Sequence, residues 1–373
     1  MKEPADVSLA DLTTLRLGGP AKHLVEAETE GELIDVVREC DARGEPVLVV
    51  GGGSNLVVAD EGFDGTVVRI ATRGVEVDVS ASCESDDIAA CGGILVTAAA
   101  GEPWDELVAR AVGQEWVGIE ALSGIPGAVG ATPMQNVGAY GQEVAQTIWT
   151  VRTYDRVEQR VRTFANAECG FEYRNSRFKG SDRYLILSVS YQLRQGGLGA
   201  PVLYAELARR LGVERGERAP LSDVRAAVLD LRRGKGMVLD PEDHDTWSAG
   251  SFFTNPVLSA DAAGRLPEDA PRWPQPDGRV KMSAAWLIER SGFGRGYPAA
   301  SEPQNESGRG PGSGGVRAGA CVSLSTKHTL ALTNRGGGST SELLALARHV
   351  RDGVHDVFGV DLVNEPVLVG CSL

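Results

Sequence analysis

The stretch Val117–Glu143, VGIEALSGIPGAVGATPMQNVGAYGQE, decides how the chain is read. Gly118, Gly124, Gly127, Gly130, Gly138 and Gly141 run through it without the charge or repetition of a disordered linker. Small residues alternate with Ile125, Val129, Met134 and Val137, so the spacing predicts backbone packed closely against something flat or phosphorylated, with Ser123 and Asn136 supplying hydrogen bonds.

Working outward, a second glycine turn, Gly51–Asn55 (GGGSN), follows the short apolar run PVLVV and precedes LVVAD. Upstream, TEGELIDVVREC carries a capping pair, Thr29 and Glu32, with Leu33, Val36, Val37 and Cys40 on one helical face. That predicts a helix stopping near Gly44. PVLVV and GTVVRI read as strands, giving an α/β unit with a glycine turn at a strand end. The turn fails the dinucleotide fingerprint, because Leu56 stands where the last glycine is needed and a strand follows instead of a helix. Alone it is explained equally well as a tight turn; a bound cofactor would explain both glycine stretches together.

The 373 residues carry a net charge of −14, which argues against nucleic acid or an anionic membrane as the main partner but leaves room for an anionic small ligand held by local charge. The six cysteines, Cys40, Cys83, Cys91, Cys169, Cys321 and Cys371, form no metal or disulfide pattern, so reduced thiols and no metal site are expected. The start MKEPADVSLADL lacks the apolar core of a signal peptide, and no apolar run approaches the about 18 residues that cross a bilayer, so a soluble cytoplasmic protein is expected. Near the end, STSELLALARHVRDGVHDVFG has a capping box at Ser339 and Glu342. Its apolar positions Leu343, Leu346, Ala347, Val350, Val354 and Val357 predict a core helix. Arg232, Arg233 and Lys235 fit a diphosphate or a solvated helix end equally well.

The chain closely resembles the UDP-N-acetylenolpyruvoylglucosamine reductase (MurB) family, in the branch with an extra tyrosine-bearing loop. The blocks TTLRLGGPA, GGGSNLV, SGIPGAVGATPMQNVGAYGQE, CGFEYRNSRFK, AGSFFTNP, KMSAAWLIERSG, STKHTLALTN and FGVDLVNEPVLVG carry the resemblance, in the family's order and over nearly the whole chain. The resemblance implies an α+β, three-domain flavoprotein with a two-part FAD-binding region (PCMH/VAO-like) and a C-terminal substrate-binding α+β domain. The boundaries it implies are 1–70 and 71–232 for the two FAD-binding parts and 233–365 for the substrate domain, with 366–373 returning to the first part. The implied activity is FAD-dependent, NADPH-using reduction of the enolpyruvyl ether of UDP-N-acetylglucosamine-enolpyruvate to UDP-N-acetylmuramate, by a protein expected to be a monomer.

Carried over residue by residue, the resemblance makes Arg174 the carboxylate clamp, Ser251 the proton donor and Glu365 the catalytic glutamate. Val363 and Asn364 before that glutamate depart from the family's usual text. If Glu365 faces the substrate carboxylate in a dry pocket, desolvation and like charge would raise its pKa above about 4.3 and make it a hydrogen-bond donor. FAD contacts are implied for Gly51, Gly52, Gly53, Ser54, Asn55, Ser123, Gly124, Ile125, Pro126, Gly127, Gly130, Asn136, Gly138 and Tyr140. Substrate contacts are implied for Tyr204, Lys235 and Asn255. The segment Gly294–Gly319 is richer in Gly, Ser and Pro than the family needs and reads as a flexible surface insertion. Two other classes stay open: a flavin oxidase of the vanillyl-alcohol-oxidase type, disfavoured because neither glycine turn holds a His or Cys for a covalent flavin link, and a UDP-sugar-binding regulator without turnover, disfavoured because Arg174, Ser251 and Glu365 are all present.

Overall fold

The computed structural model describes residues 7–79, 93–298 and 321–373. Cys83, Cys91 and residues 299–319 of the expected insertion lie outside the described residues. The described residues divide into two compact units: 21–53, 64–79 and 93–234 form the first, and 7–20, 54–63, 235–298 and 321–373 the second. The described residues of the 1–70 and 71–232 halves implied by the family thus share the first unit, apart from the segments 7–20 and 54–63.

In the first unit, Thr29 and Glu32 close the expected capping box on α1 (Glu30–Arg43), and Gly44 ends it in the left-handed conformation at φ 64°. Leu33, Val37 and Cys40 are buried beneath the helix. A three-stranded sheet holds β1 (Ala21–Ala27), β4 (Phe63–Ile70) and β2 (Val47–Val50) in the order β1-β4-β2, with β2 and β4 parallel. A larger sheet runs β11 (Arg160–Ala165), β10 (Ile148–Asp155), β12 (Tyr184–Gln195), β6 (Ile94–Ala99), β5 (Val75–Asp78), and the short β7 (Trp116–Val117) pairs with the end of β12. Its core packs Trp104 and Leu107 of α2 (Trp104–Gly113) against Ile94, Val96, Val189 and Tyr191. The glycine-rich run leaves this core as turns and then as a hairpin of β8 (Gly138–Ala139) and β9 (Gln142–Glu143). Helices α3 (Ala205–Leu211) and α4 (Leu221–Gly234) complete the unit around Leu207, Val224 and Val228.

In the second unit, β3 (Leu56–Val58) pairs in parallel with β18 (Val367–Val369), so the end of the chain returns to its N-terminal part. The sheet β13 (Val257–Leu258), β15 (Val280–Met282), β14 (Arg272–Pro274) and the hairpin β16 (Val322–Leu324), β17 (Leu332–Asn334) accompany α5 (Ala260–Gly264), α6 (Ala284–Arg290) and α7 (Thr340–Phe358). Helix α7 has the expected Ser339/Glu342 capping box and buries Leu343, Leu346, Ala347, Val350 and Val354. Val357 departs from the expected stripe: it is 56% exposed, in a last turn where Phe358 packs on Trp286 instead.

Candidate active site

The two glycine turns touch. A Cβ placed on Gly52 would stand 2.5 Å from the Gly127 Cα, and one on Gly51 would stand 3.2 Å from the Ala128 Cβ. Only bare backbone allows that approach, so the turns predicted to share a ligand are neighbours. Gly130 is equally constrained, because its Cβ would meet Ala100 at 2.6 Å, and its N–H donates to the Ala100 carbonyl. Several polar groups of the run are spent on holding its shape. The Ser123 hydroxyl donates to the Glu120 carbonyl at 2.7 Å, and the Gly124 N–H donates to Asp105 Oδ1 at 2.6 Å. Ile125 and Pro126 are half-buried at the turn between them and Gly127.

Asp105, in the first turn of α2, also receives a bidentate pair from Arg225 of α4 at 2.7 and 2.8 Å. Burial works to raise its pKa, but the Arg225 bonds and the Gly124 amide outweigh it and leave the carboxyl below its ordinary range. The interior of the unit also holds Arg232. Burial lowers its pKa to about 10 against the opposing pull of Tyr140 and Asp105. Arg232 is therefore not the solvated helix-end cation that its charge pattern allowed, whereas Arg233 beside it is exposed and pairs with Asp230.

Asn136 is buried at φ 47° and works as a loop tie. Its Nδ2 donates to Glu143 Oε2 at 2.9 Å and to the Glu172 carbonyl at 3.1 Å, and its Oδ1 accepts from the Ala145 N–H. These bonds dock the loop carrying EYRNS onto the glycine run, together with the Ser176 hydroxyl bonded to the Met134 carbonyl at 2.7 Å. Arg174, itself at φ 52°, lays its guanidinium on the carbonyls of Gly138 (2.7 Å) and Asn136 (3.4 Å). Arg174, the expected clamp, is thus anchored to the glycine-rich run. Tyr140, at the tip of the β8–β9 hairpin, meets Tyr204 edge to face at 5.5 Å between ring centroids. Burial pushes the Tyr140 hydroxyl up to about 12, with Arg232 pulling the other way.

The second unit gathers a different set. Gly250 turns at φ 73°, and Phe252 and Phe253 sink their rings, 5.1 Å apart, into the core with Leu15, Leu17 and Val57. Ser251 is left half-buried between them, and among the described residues no group bonds its hydroxyl. Glu365 lies on the adjacent segment: its N–H donates to the Phe252 carbonyl at 2.8 Å, and Phe253 bridges Asn364. Asn55 joins them through Nδ2 to the Glu365 carbonyl at 3.4 Å, with Ser54 beside it in the same unit. Asn255 uses Oδ1 to accept the Ala284 N–H at 2.9 Å, which ties it to the start of α6. Lys235 is half-buried at the start of the last segment of the second unit.

Sequence reading missed Glu120, Asp105, Arg225, Gln142, Glu143 and Glu172. Glu143 bonds Asn136 seven residues away, and the others act through partners farther along the chain, as Arg225 does with Asp105, so no helical or strand spacing signals them. Of the thiols, Cys40, Cys169, Cys321 and Cys371 are free, and among the described residues no group of side chains could hold a metal ion.

Residues 21–159 match the family model for an FAD binding domain, and residues 311–369 match that for the UDP-N-acetylenolpyruvoylglucosamine reductase C-terminal domain. The chain is 57% identical over 369 residues to the UDP-N-acetylenolpyruvoylglucosamine reductase of Cutibacterium acnes, covering 99% of this chain and 90% of that one. It is 54% identical to that of Thermobifida fusca, covering 99% of this chain and 98% of the relative. Among solved structures, UDP-N-acetylenolpyruvylglucosamine reductase (MurB) from Thermus caldophilus shares the fold, with a TM-score of 0.60, 23% identity and 97% of each chain covered.

Proposed function

The chain belongs to the UDP-N-acetylenolpyruvoylglucosamine reductase family, and from that premise we propose that Arg174, Ser251 and Glu365 carry its chemistry while the paired glycine turns hold its cofactor. The enzyme is an FAD-dependent oxidoreductase. It uses NADPH to reduce the enolpyruvyl ether of UDP-N-acetylglucosamine-enolpyruvate to UDP-N-acetylmuramate, in peptidoglycan precursor synthesis. No helix among the described residues is long and apolar enough to cross a membrane, and a cytoplasmic monomer is the working form in this proposal.

The residues present fit a flavin dinucleotide: Gly51–Gly53 and Gly127 offer bare backbone at one place, where a single Cβ on Gly52 would fill the approach. When bound between those turns, FAD would supply the hydride chemistry that links NADPH to the vinyl carbon of the substrate. The rest falls to this chain. Charge then develops toward the substrate carboxylate, and a planar guanidinium matches that charge in shape and sign. Arg174 suits the task because the Asn136 and Gly138 carbonyls fix its plane before substrate arrives. Ser251 holds a proton at Oγ for the carbon next to the one that receives hydride. A serine is a weak acid, so positioning over one hydrogen-bond length supplies most of its contribution. Glu365 sits on the segment bonded to Phe252, where its side chain can share the substrate carboxylate end with Ser251. In this assignment Tyr204 and Asn255 touch the UDP-sugar, and Lys235 reads its phosphate. Family membership removes the oxidase and regulator alternatives.

The observation that carries the residue roles is the Ser251 hydroxyl, half-buried, unspent on the described residues and one residue from the carbonyl that binds the Glu365 amide. Ser251→Ala tests it by anaerobic stopped-flow absorbance of the flavin. Reduction by NADPH stays near the wild-type rate, whereas reoxidation by the enolpyruvyl substrate slows by about 10²–10⁴-fold, the range for a lost general acid. Ser251→Cys recovers part of that loss. If the alanine variant slows the NADPH half-reaction and spares the substrate half-reaction, Ser251 is not the donor.

A further inference from the structure

Glu120 is 1% exposed and takes no part in the chemistry above. Its carboxylate nonetheless accepts three hydrogen bonds, none of them from a lysine or arginine. Oε2 takes the Gly118 N–H at 2.7 Å, and Oε1 takes the Ala200 N–H at 2.6 Å and Gln142 Nε2 at 2.9 Å. Gln142, also buried, turns its own Oε1 to the Ala121 N–H at 2.8 Å. The pair therefore pins three stretches of backbone to one another. They are the start of the glycine run, the returning strand of the β8–β9 hairpin, and the segment that leads through Ala200 to Tyr204.

Each stretch bears on the proposed site. Gln142 stands two residues beyond Tyr140, and the Gly138 carbonyl on the other strand of that hairpin receives Arg174. Ala200 stands four residues before Tyr204, and the Tyr140 and Tyr204 rings meet edge to face. Gly118, Gln142 and Ala200 also line a partly open pocket of about 360 Å³, so on that side they are not packed against other protein. Beside such an opening, directional bonds set the register, and a buried carboxylate stays in place only while its acceptors remain filled.

We propose that Glu120 is a positioning residue for the UDP-sugar: with Gln142 it sets the hairpin and the Ala200 segment in the register that brings Tyr140 and Tyr204 together. The inference rests on the assignment of Tyr204 to the substrate. Glutamine at this position has one acceptor oxygen where the carboxylate has two, so its NH₂ must face either the Gly118 N–H or the Ala200 and Gln142 donors. Donor then meets donor, and at least one of the three stretches is released.

The test is a double-mutant cycle on flavin-replete enzyme. Glu120→Gln retains FAD and its rate of flavin reduction by NADPH, while the KM for UDP-N-acetylglucosamine-enolpyruvate rises about tenfold or more with kcat little changed, as expected for a lost buried hydrogen bond felt in ground-state binding. In a Tyr204→Ala background the same change adds less than about twofold, since the element it positions is already gone. Equal factors in both backgrounds, or an unchanged KM for Glu120→Gln when Tyr204→Ala raises it, overturn the role of Glu120 and leave the Tyr204 assignment standing. An unchanged KM for Tyr204→Ala sinks that assignment and this inference with it. Should Glu120→Gln purify without flavin, Gln142→Met carries the same cycle and the same criteria, because it leaves both backbone bonds of Glu120 intact.

Discussion

Single side chains in this protein do their work by bonding to backbone from distant parts of the chain. Arg174 is held by the carbonyls of Asn136 and Gly138, and Asn136 is itself held in a left-handed conformation by bonds to three other groups. Asp155, in a purely structural setting, combines a distant side chain with neighbouring backbone. Fully buried at the end of β10, it accepts a bidentate pair from Arg183 and the N–H groups of Val157 and Glu158. The Arg183 bonds, with those amides, outweigh burial and hold its carboxyl down at about 2. A carboxyl depressed on folding contributes stability above its unfolded pKa and loses it as pH falls through the folded value. Asp155→Asn therefore lowers the thermal midpoint by about 4 °C near neutral pH, and the gap to wild type narrows as pH falls from about 4 towards 2. Thermal unfolding followed by circular dichroism across that range checks it; a gap independent of pH would show that Arg183 does not set the Asp155 ionisation.

At the scale of elements, the informative object is the contact between two turns rather than either turn. Each glycine stretch alone reads as an incomplete nucleotide site; together they place bare backbone from two loops side by side. Gly52→Ala tests how much depends on that contact, because its Cβ would press on the Gly127 backbone, which cannot swing aside as a side chain would. The variant purifies with well under half of the wild-type flavin, read from the ratio of absorbance near 450 nm to that at 280 nm, whereas Gly31→Ala, whose Cβ meets nothing within 4 Å, stays replete. Full flavin in Gly52→Ala would mean that the turns can part without cost to the cofactor. The helices were the easier elements to read. The capping boxes at Thr29/Glu32 and Ser339/Glu342 involve residues three apart, so helix starts were legible before any folding was considered. Val357 was misplaced because periodicity reports a face and not how far along the helix neighbours cover it.

For the whole molecule, the path of the chain matters as much as its elements. Residues 7–20 and 54–63 are drawn from the N-terminal part into the second unit, and β18 closes that unit by pairing with β3. The Val367 N–H donates to the Asn55 carbonyl and the Ala59 N–H to that of Val369, so the last strand braces the end of the GGGSN turn. Removing residues 367–373, which spares Glu365, lowers the thermal midpoint by about 5 °C or more and makes flavin easier to lose on dilution, as differential scanning fluorimetry and flavin fluorescence would record. An unchanged midpoint would show the closing strand to be dispensable.

The sequence by itself determined the helices with their caps, the glycine turns, the family, and with it the flavin-dependent reduction, because each of these is written in residues adjacent or nearly adjacent in the chain. Arg174, Ser251 and Glu365 were named by their places in the family's blocks, and nothing local to them says what they touch. Only the tertiary structure decided that Gly52 meets Gly127, that Arg174 rests on the Asn136 and Gly138 carbonyls, that the Glu365 amide bonds beside Ser251, and that Arg232 is buried. Those facts depend on contacts between residues tens to hundreds of positions apart, whose geometry is set by the packed core and by which buried polar groups must find partners, and neither is encoded in any single window of sequence.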